Sequence, residues 1–457
     1  MKRILLIATL LMAGVCLQAQ QRYELTVKEA VDLAYKNVIE LKNAQVDYRI
    51  QQARNKEILG QAFPQLNGNV AANHYIKLPT ILFPQTDQGI YTVLERENLI
   101  PAGTPVPAPT FAAFSFQQPY NFGAGATLTQ LLFQPDVFVG LQARQTSLDY
   151  NQSIIDQTKE KIKDSAYKRY YAILIAQKQL YFLDQSIQRL QKLYHDDSVM
   201  FVNGFAEKLD LEKVQVQLNN LRTTRTVVNN GVNLSYAALK FATGISQRDT
   251  VVLREDLAVS DLKEDILDNA FKYDDRAEVR TLNQLKTLQQ LDVKRNKLGY
   301  LPTVALSGNY SVNGIGQKFF TDRSTFWYKS AFVGLNFDIP LFDGFQRKYR
   351  VQQAQLSLEK LNNNIDYLKQ GIDFEQVITR ESLKNSLLSL DIQERNLALA
   401  EKVYNSTKLK FEQGLGSSFE VLQADNDFQT AQSNYFNSLY DATVARISYL
   451  YSLGKLQ

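Results

Sequence analysis

An imidazole beside two carboxylates is the residue set that a metal ion would use, and the chain offers one such triplet, His195-Asp196-Asp197. Adjacent side chains on a helix point apart. The one other histidine, His74, belongs to a distant stretch, so the triplet reads as a solvated helix end. Gly314-x-Gly316 is expected in a loop between strands with no helix after it, which removes the context a dinucleotide fingerprint needs. No nucleophile–histidine–acid set is legible. The sequence thus predicts no catalytic residue, no metal site and no cofactor, and it reads as a non-enzyme.

Two further acids sit in a phrase that the chain writes twice. Residues 201–218 read FVNGFAEKLDLEKVQVQL and residues 411–428 read FEQGLGSSFEVLQADNDF. Each has Phe first (Phe201, Phe411), Gly fourth (Gly204, Gly414), an acid tenth (Asp210, Glu420) and an aliphatic residue eleventh. Glycine allows a backbone reversal at the end of a helix. The phrase therefore predicts two helical hairpin turns, at about 204 and about 414, with Phe205, Leu415 and Gly416 at their tips. Glu420 and Asp210 would then crowd negative charge there; like charges repel one another and attract cations. A helix-start acid that offsets the dipole is the simpler alternative for both.

The elements that position these turns follow from the prolines. All 11 lie at 64–135, at 302 and at 340. Proline costs about 3 kcal/mol inside a helix, so the long proline-free stretches predict helices over 136–203, 207–241, 264–298, 345–413 and 418–453. A further helix at 27–59 opens on a Thr26-x-x-Glu29 capping box. Apolar residues at Phe428, Ala431, Tyr435, Leu439, Ala442 and Ala445 make one stripe on a helix with a wide polar face. That pattern fits a coiled-coil wall beside water, or the outside of a long soluble bundle.

The duplication is wider than the phrase. Gly204 and Gly414 are 210 positions apart, as are Gly244 and Gly454, while Pro64 and Pro302 are 238 apart. The two repeats are 20–244 and 263–457, separated by a mid-chain segment at 245–262. The first carries 28 extra residues, placed with the Pro-rich stretch 101–110, which predicts a long surface loop.

Near the repeated prolines the period changes to two. Segments 303–313 and 328–339 alternate apolar with small polar residues, and 65–76 and 121–133 do so more weakly. Their lengths are close to the roughly 9–11 residues that cross a bilayer at a tilt. Phe326, Trp327 and Tyr328 at one end would form an interfacial aromatic belt. Four strands do not close a barrel, and open edges are excluded from lipid; spanning strands would have to be pooled by several chains. A four-stranded sheet packed on helices in a soluble domain is the competing reading.

The remaining composition sets the compartment. Lys2 and Arg3, then an apolar run from Ile4 to Met12 and Ala19 before a cleavage point, make residues 1–19 a signal peptide. The one cysteine, Cys16, lies within it, and Val15 before it argues against a lipid-anchored start. A net charge of +4 carries no polyanion signature, so nucleic acid is not an expected partner. No stretch has the roughly 18 apolar residues of a membrane-spanning helix.

In its strand entry GYLPTVALSGNYS at 299–311, in VGLNFDIPLFDG at 333–344 and in the two hairpin phrases, the sequence resembles the TolC-type outer-membrane efflux factors along essentially all of its mature length. The resemblance implies a mainly α fold with a transmembrane β-barrel: a homotrimer with twelve strands, four per protomer, and a long α-helical coiled-coil barrel in the periplasm. It implies an exit duct of a tripartite efflux or type I secretion system, set in outer-membrane lipid and partnered by a periplasmic adaptor and an inner-membrane RND or ABC pump. The hairpin tips would meet the adaptor. In the family the entrance carries two acids and a Tyr/Arg network. Here Glu420 stands at the first acid position, Gln423 at the second, Phe411 at the tyrosine and Gly416 at the arginine, so a gate held by packing or by Asp425 is the expectation. A soluble periplasmic coiled-coil scaffold or adaptor is the alternative function.

Overall fold

The computed structural model describes residues 21–255, 262, 271–319, 323 and 325–456. The expected signal peptide with Cys16, residues 256–261 of the expected mid-chain segment and residues 264–270 of the helix expected over 264–298 lie outside the described residues. The chain divides into two compact units, one within residues 1–52, 145–290 and 355–457 and the other within 53–144 and 291–354. Each unit draws on both sequence repeats.

The first unit is helical. Strand β1 (Arg22–Leu25) leads into α1 (Val27–Asn37), where Thr26 Oγ1 accepts from the Glu29 amide at 3.2 Å and Glu29 accepts from the Thr26 amide at 2.8 Å. These reciprocal bonds satisfy two backbone donors that a helix start leaves open. The helix expected over 27–59 is not continuous. Val38 adopts an extended backbone (φ −64°, ψ 126°) and α2 (Ile39–Gln61) starts after it. Arg276, 238 positions later, is extended in the same way (φ −82°, ψ 126°) and precedes α6 (Ala277–Leu298). The joint is a repeated feature, and α6 begins well after residue 264.

Four long helices complete this unit's hairpins: α4 (Pro135–Val202) with α5 (Lys208–Thr243), and α7 (Gln346–Glu412) with α8 (Ser418–Ser452). At 1.5 Å per residue the 68 residues of α4 extend about 100 Å. Along α8, Phe428, Ala431, Leu439, Ala442 and Ala445 are buried, as the stripe requires. One apolar cluster gathers Leu190 and Leu193 of α4, Val214 and Leu218 of α5, Tyr404 of α7 and Val421 and Phe428 of α8. Each fully buried side chain of this size contributes about 1.5–3 kcal/mol. A second cluster joins Ala30 of α1, Tyr170 of α4, Leu239 of α5 and Val251 of β6 (Thr250–Leu253). Strand β6 pairs in parallel with β1; at four residues each, neither gives a period in the sequence.

The second unit is an antiparallel sheet in the order β2-β5-β7-β8, with β2 at Gln65–His74, β5 at Tyr120–Phe133, β7 at Thr303–Gly316 and β8 at Phe326–Asp338. Gly314 and Gly316, expected in a loop, belong to the end of β7, where they pair with Phe122 and Tyr120. The Pro-rich stretch 101–110 is irregular up to Pro109, as expected of a loop, while the rest of the stretch between β2 and β5, for which the sequence predicts no element, contains helix α3 (Gln88–Arg96) and the hairpin β3 (Ile81–Gln85) with β4 (Thr110–Phe114). The proline signal concealed the hairpin: Pro84 sits within β3, opposite Phe111, on a two-stranded ribbon where a missing ladder donor is tolerated.

Candidate channel-wall and entrance sites

The wall candidate is the sheet of the second unit. Successive side chains of a strand point to opposite faces, and the register aligns the two sets. Leu66, Leu128, Gly308 and Val333 share one row; Val70, Ala124 and Val312 share another, which ends on β8 at Lys329, near the Trp327 end of that strand. The opposite face aligns Asn67, Thr127, Asn309 and Phe332, and Asn69, Gly125, Ser311 and Ser330. Asn309 donates to Thr127 Oγ1 at 2.9 Å and Asn336 to Ser307 Oγ at 3.0 Å across this polar face. Between Gln65 and Asn336 the polar face carries no acidic or basic side chain; Asp338, opposite Thr303, is the first. Such a face orders water through neutral dipoles and exerts little charge selection.

The aromatic triplet divides between the two faces of the sheet. Trp327 lies on the apolar face, 6.4 Å from Phe122 between ring centres, whereas Phe326 and Tyr328 stack on each other at 6.1 Å on the polar side. Strand alternation dictates the split. The apolar-face aromatic group is made by residues the sequence leaves scattered: Tyr120, Phe122, Phe319 and Trp327, with His74 stacked on Tyr120 at 4.3 Å.

The entrance candidate is the pair of hairpin turns in the first unit. Gly204 (φ +81°) and Gly414 (φ +74°) occupy the left-handed region that a side chain disfavours. The next amides, of Phe205 and Leu415, reach back to the carbonyls of Met200 and Lys410 at 2.8 and 2.9 Å. Both are Schellman closures, so the twice-written phrase is one backbone motif made twice. Phe205 and Leu415 are 80% and 77% exposed at the turns.

The acids divide. Glu420 is exposed in the first turn of α8, next to the Ser417 cap, and its Oε2 lies 3.3 Å from where a Cβ of Gly416 would be. Asp210 is half-buried and accepts from Lys213 at 3.1 Å. No hydrogen bond or ion pair joins Glu420 to Asp210 among the described residues. Gln423 is exposed and donates to Asp427 at 3.0 Å. Phe411 is half-buried against the apolar cluster that holds Tyr404 and Val421.

Asp425 is fully buried rather than presented at a surface, and it accepts from Arg189 Nε of α4 at 2.9 Å. Burial pushes its carboxyl above the ordinary range, and the Arg189 guanidinium opposes that. Arg189 also donates to Ser186 Oγ at 2.7 Å and lies over the rings of Tyr404 (5.3 Å) and Phe428 (5.0 Å). This network ties hairpin α4–α5 to hairpin α7–α8. The sequence gives no sign of Arg189, because the two partners are 236 positions apart; only the pairing of the hairpins brings them together.

Comparison with known proteins agrees with this architecture. Residues 282–455 match the model of the outer membrane efflux protein family. The chain is 21% identical over 339 residues to outer membrane protein TolC of Vibrio cholerae serotype O1, covering 73% of this chain and 76% of that one. It is 19% identical to TolC of Escherichia coli K12 over 352 residues, covering 70% and 71%. Among solved structures, CusC superposes with a TM-score of 0.72 at 15% identity over 94% of this chain and 92% of that one. VceC from Vibrio cholerae gives 0.70 at 13% identity over 94% and 96%. Residues 282–455 thus match the outer membrane efflux protein family, and the chain as a whole is similar in sequence to TolC and in fold to the CusC and VceC channels.

Proposed function

We propose that three copies of the chain form an outer-membrane exit duct, their sheets closing a twelve-stranded barrel and their hairpins lining an α-helical tunnel. One observation carries this reading. The sheet is amphipathic, four strands wide and unpaired at both β2 and β8. Its apolar face leaves Leu66 71%, Val70 86% and Val333 80% exposed. In water these side chains would forfeit their burial energy. In lipid they are at home, provided that neighbouring copies satisfy the edge backbone groups. The neutral polar face would then surround water. This opposes the soluble-scaffold alternative, which has nothing to cover that face.

In this reading the entrance lies at the hairpin turns, where Glu420 makes a ring of three carboxylates with Asp210 near it. Gly204, Phe205, Gly414, Leu415 and Gly416 meet a periplasmic adaptor. An RND or ABC pump in the inner membrane supplies the energy for efflux or type I secretion. The chain itself has no catalytic role. The test is cell fractionation followed by unheated and heated electrophoresis. A detergent-extracted, heat-sensitive trimer in the outer-membrane fraction is expected; a monomer released by osmotic shock overturns the proposal.

A further inference from the structure

Asp197, near the end of α4, is fully buried, and neither of its carboxylate oxygens has a hydrogen-bond partner. A buried carboxylate without a partner is costly and ordinarily becomes neutral. Its surroundings sharpen the problem. Asp196, beside it on α4, and Asp210 on α5 both add negative potential. Lys213 of α5 is engaged by Asp210 at 3.1 Å and cannot serve as its counter-ion there. From the other hairpin, α8 brings the buried Ser418, whose hydroxyl opposes the effect of burial more than either neighbouring acid adds to it, and Glu420 is the acid of that first turn. His195 of α4 is exposed. The position does not need an acid to fold as a hairpin. Its counterpart in the second repeat, 210 positions on, is Thr407.

We infer that Asp197 is a proton-controlled latch between the two hairpins, holding their ends together when neutral and loosening them when ionised. The inference rests on the reading of these turns as the closable end of a duct. Burial and the neighbouring acids push the Asp197 carboxyl up to about 6. The sign follows from which form the packed state prefers. A raised carboxylate pKa means that the packed hairpins hold the proton more tightly than separated ones do. The contact is therefore strongest in acid, weakens as pH rises through about 6, and is weakest above it.

The mature chain lacks cysteine, so spin labels can be placed at Phe205→Cys and Leu415→Cys, and the inter-hairpin distance followed from pH 5 to 8 in the full-length detergent-extracted protein. We expect a longer and broader distribution as pH rises, with a midpoint near 6. In Asp197→Asn the short distance should persist across the range, and the Asp196→Asn control should keep the transition with a lower midpoint. The same variants in planar bilayers should show conductance rising with pH in the parent and flat in Asp197→Asn. A pH-independent distance in the parent, or a transition retained in Asp197→Asn, overturns the latch. A transition that requires a divalent cation and vanishes in chelator also overturns it, in favour of a cation site. Intact distance titration with no conductance at any pH would instead remove the duct reading and leave the latch standing.

Discussion

At the scale of single residues, the repeat is held by glycines that meet different surroundings. An alanine at Gly204 would adopt φ +81° in open space, a loss of roughly 1–2 kcal/mol from left-handed strain alone. At Gly244 (φ +68°) the new Cβ would also lie 2.6 Å from Cβ of Asn37, at the α1–α2 joint. Gly244→Ala should therefore lower the midpoint of helix loss in a circular-dichroism melt well below that of Gly204→Ala; equal midpoints would mean that the joint yields freely. The Arg189–Asp425 pair makes a sharper case. Removing one partner of a buried pair leaves the other charge uncompensated, at about 3–5 kcal/mol. Arg189→Met should destabilise the hairpin assembly by that order. Asp425 is already raised by burial, and losing the opposing guanidinium raises it further. A raised carboxylate stabilises the fold less as pH climbs, so the deficit of Arg189→Met should grow from pH 4 to pH 7 in denaturant titrations. Adding Asp425→Leu should recover much of it and flatten the pH profile.

At the scale of elements, the sheet's two faces can be addressed by a probe the chain already contains, its single tryptophan. Trp327 is on the apolar face beside Phe122. In vesicles containing brominated lipid its emission should be strongly quenched. Substituting Phe326 or Tyr328, which stack on the polar side, should leave that quenching unchanged. Unquenched emission from reconstituted protein would place the apolar face away from lipid. What the sequence made legible here follows from what leaves a one-dimensional trace. Helix lengths were readable because proline is excluded from helix interiors. The turns were readable because Gly204 and Gly414 must take positive φ. The joints at Val38 and Arg276 were not, since an extended residue within a helical pattern needs no special side chain. Nor were the faces of the aromatic triplet or the burial of Asp197 and Asp425, because these depend on which elements pack together. The loop at 101–109 is legible from its prolines, whereas β3, α3 and β4 around it are too short to give a periodicity.

At the scale of the whole molecule, the entrance proposal makes Glu420 a property of three chains at once. In one chain it is an exposed acid at the start of α8, where it offsets the helix dipole and packs over Gly416. In a trimer with its hairpins around one axis, three such carboxylates would face a shared opening. Their mutual repulsion is relieved by a divalent cation, which would then obstruct the current. The neutral polar face of the sheet offers no second ring of this kind between Gln65 and Asn336, so block should originate at the hairpins. Glu420→Ala should weaken block of single-channel current by divalent cations at least tenfold in concentration, about 1.4 kcal/mol of lost cation affinity. Gln423→Ala, which removes no charge, should leave block unchanged. Because Asp210 is occupied by Lys213, Asp210→Asn should have the smaller effect of the two acids. Unaltered block in Glu420→Ala, from a protein that still conducts, would remove the carboxylate ring and leave the duct; loss of trimer and conductance together would instead return Glu420 to its role as a helix-start acid.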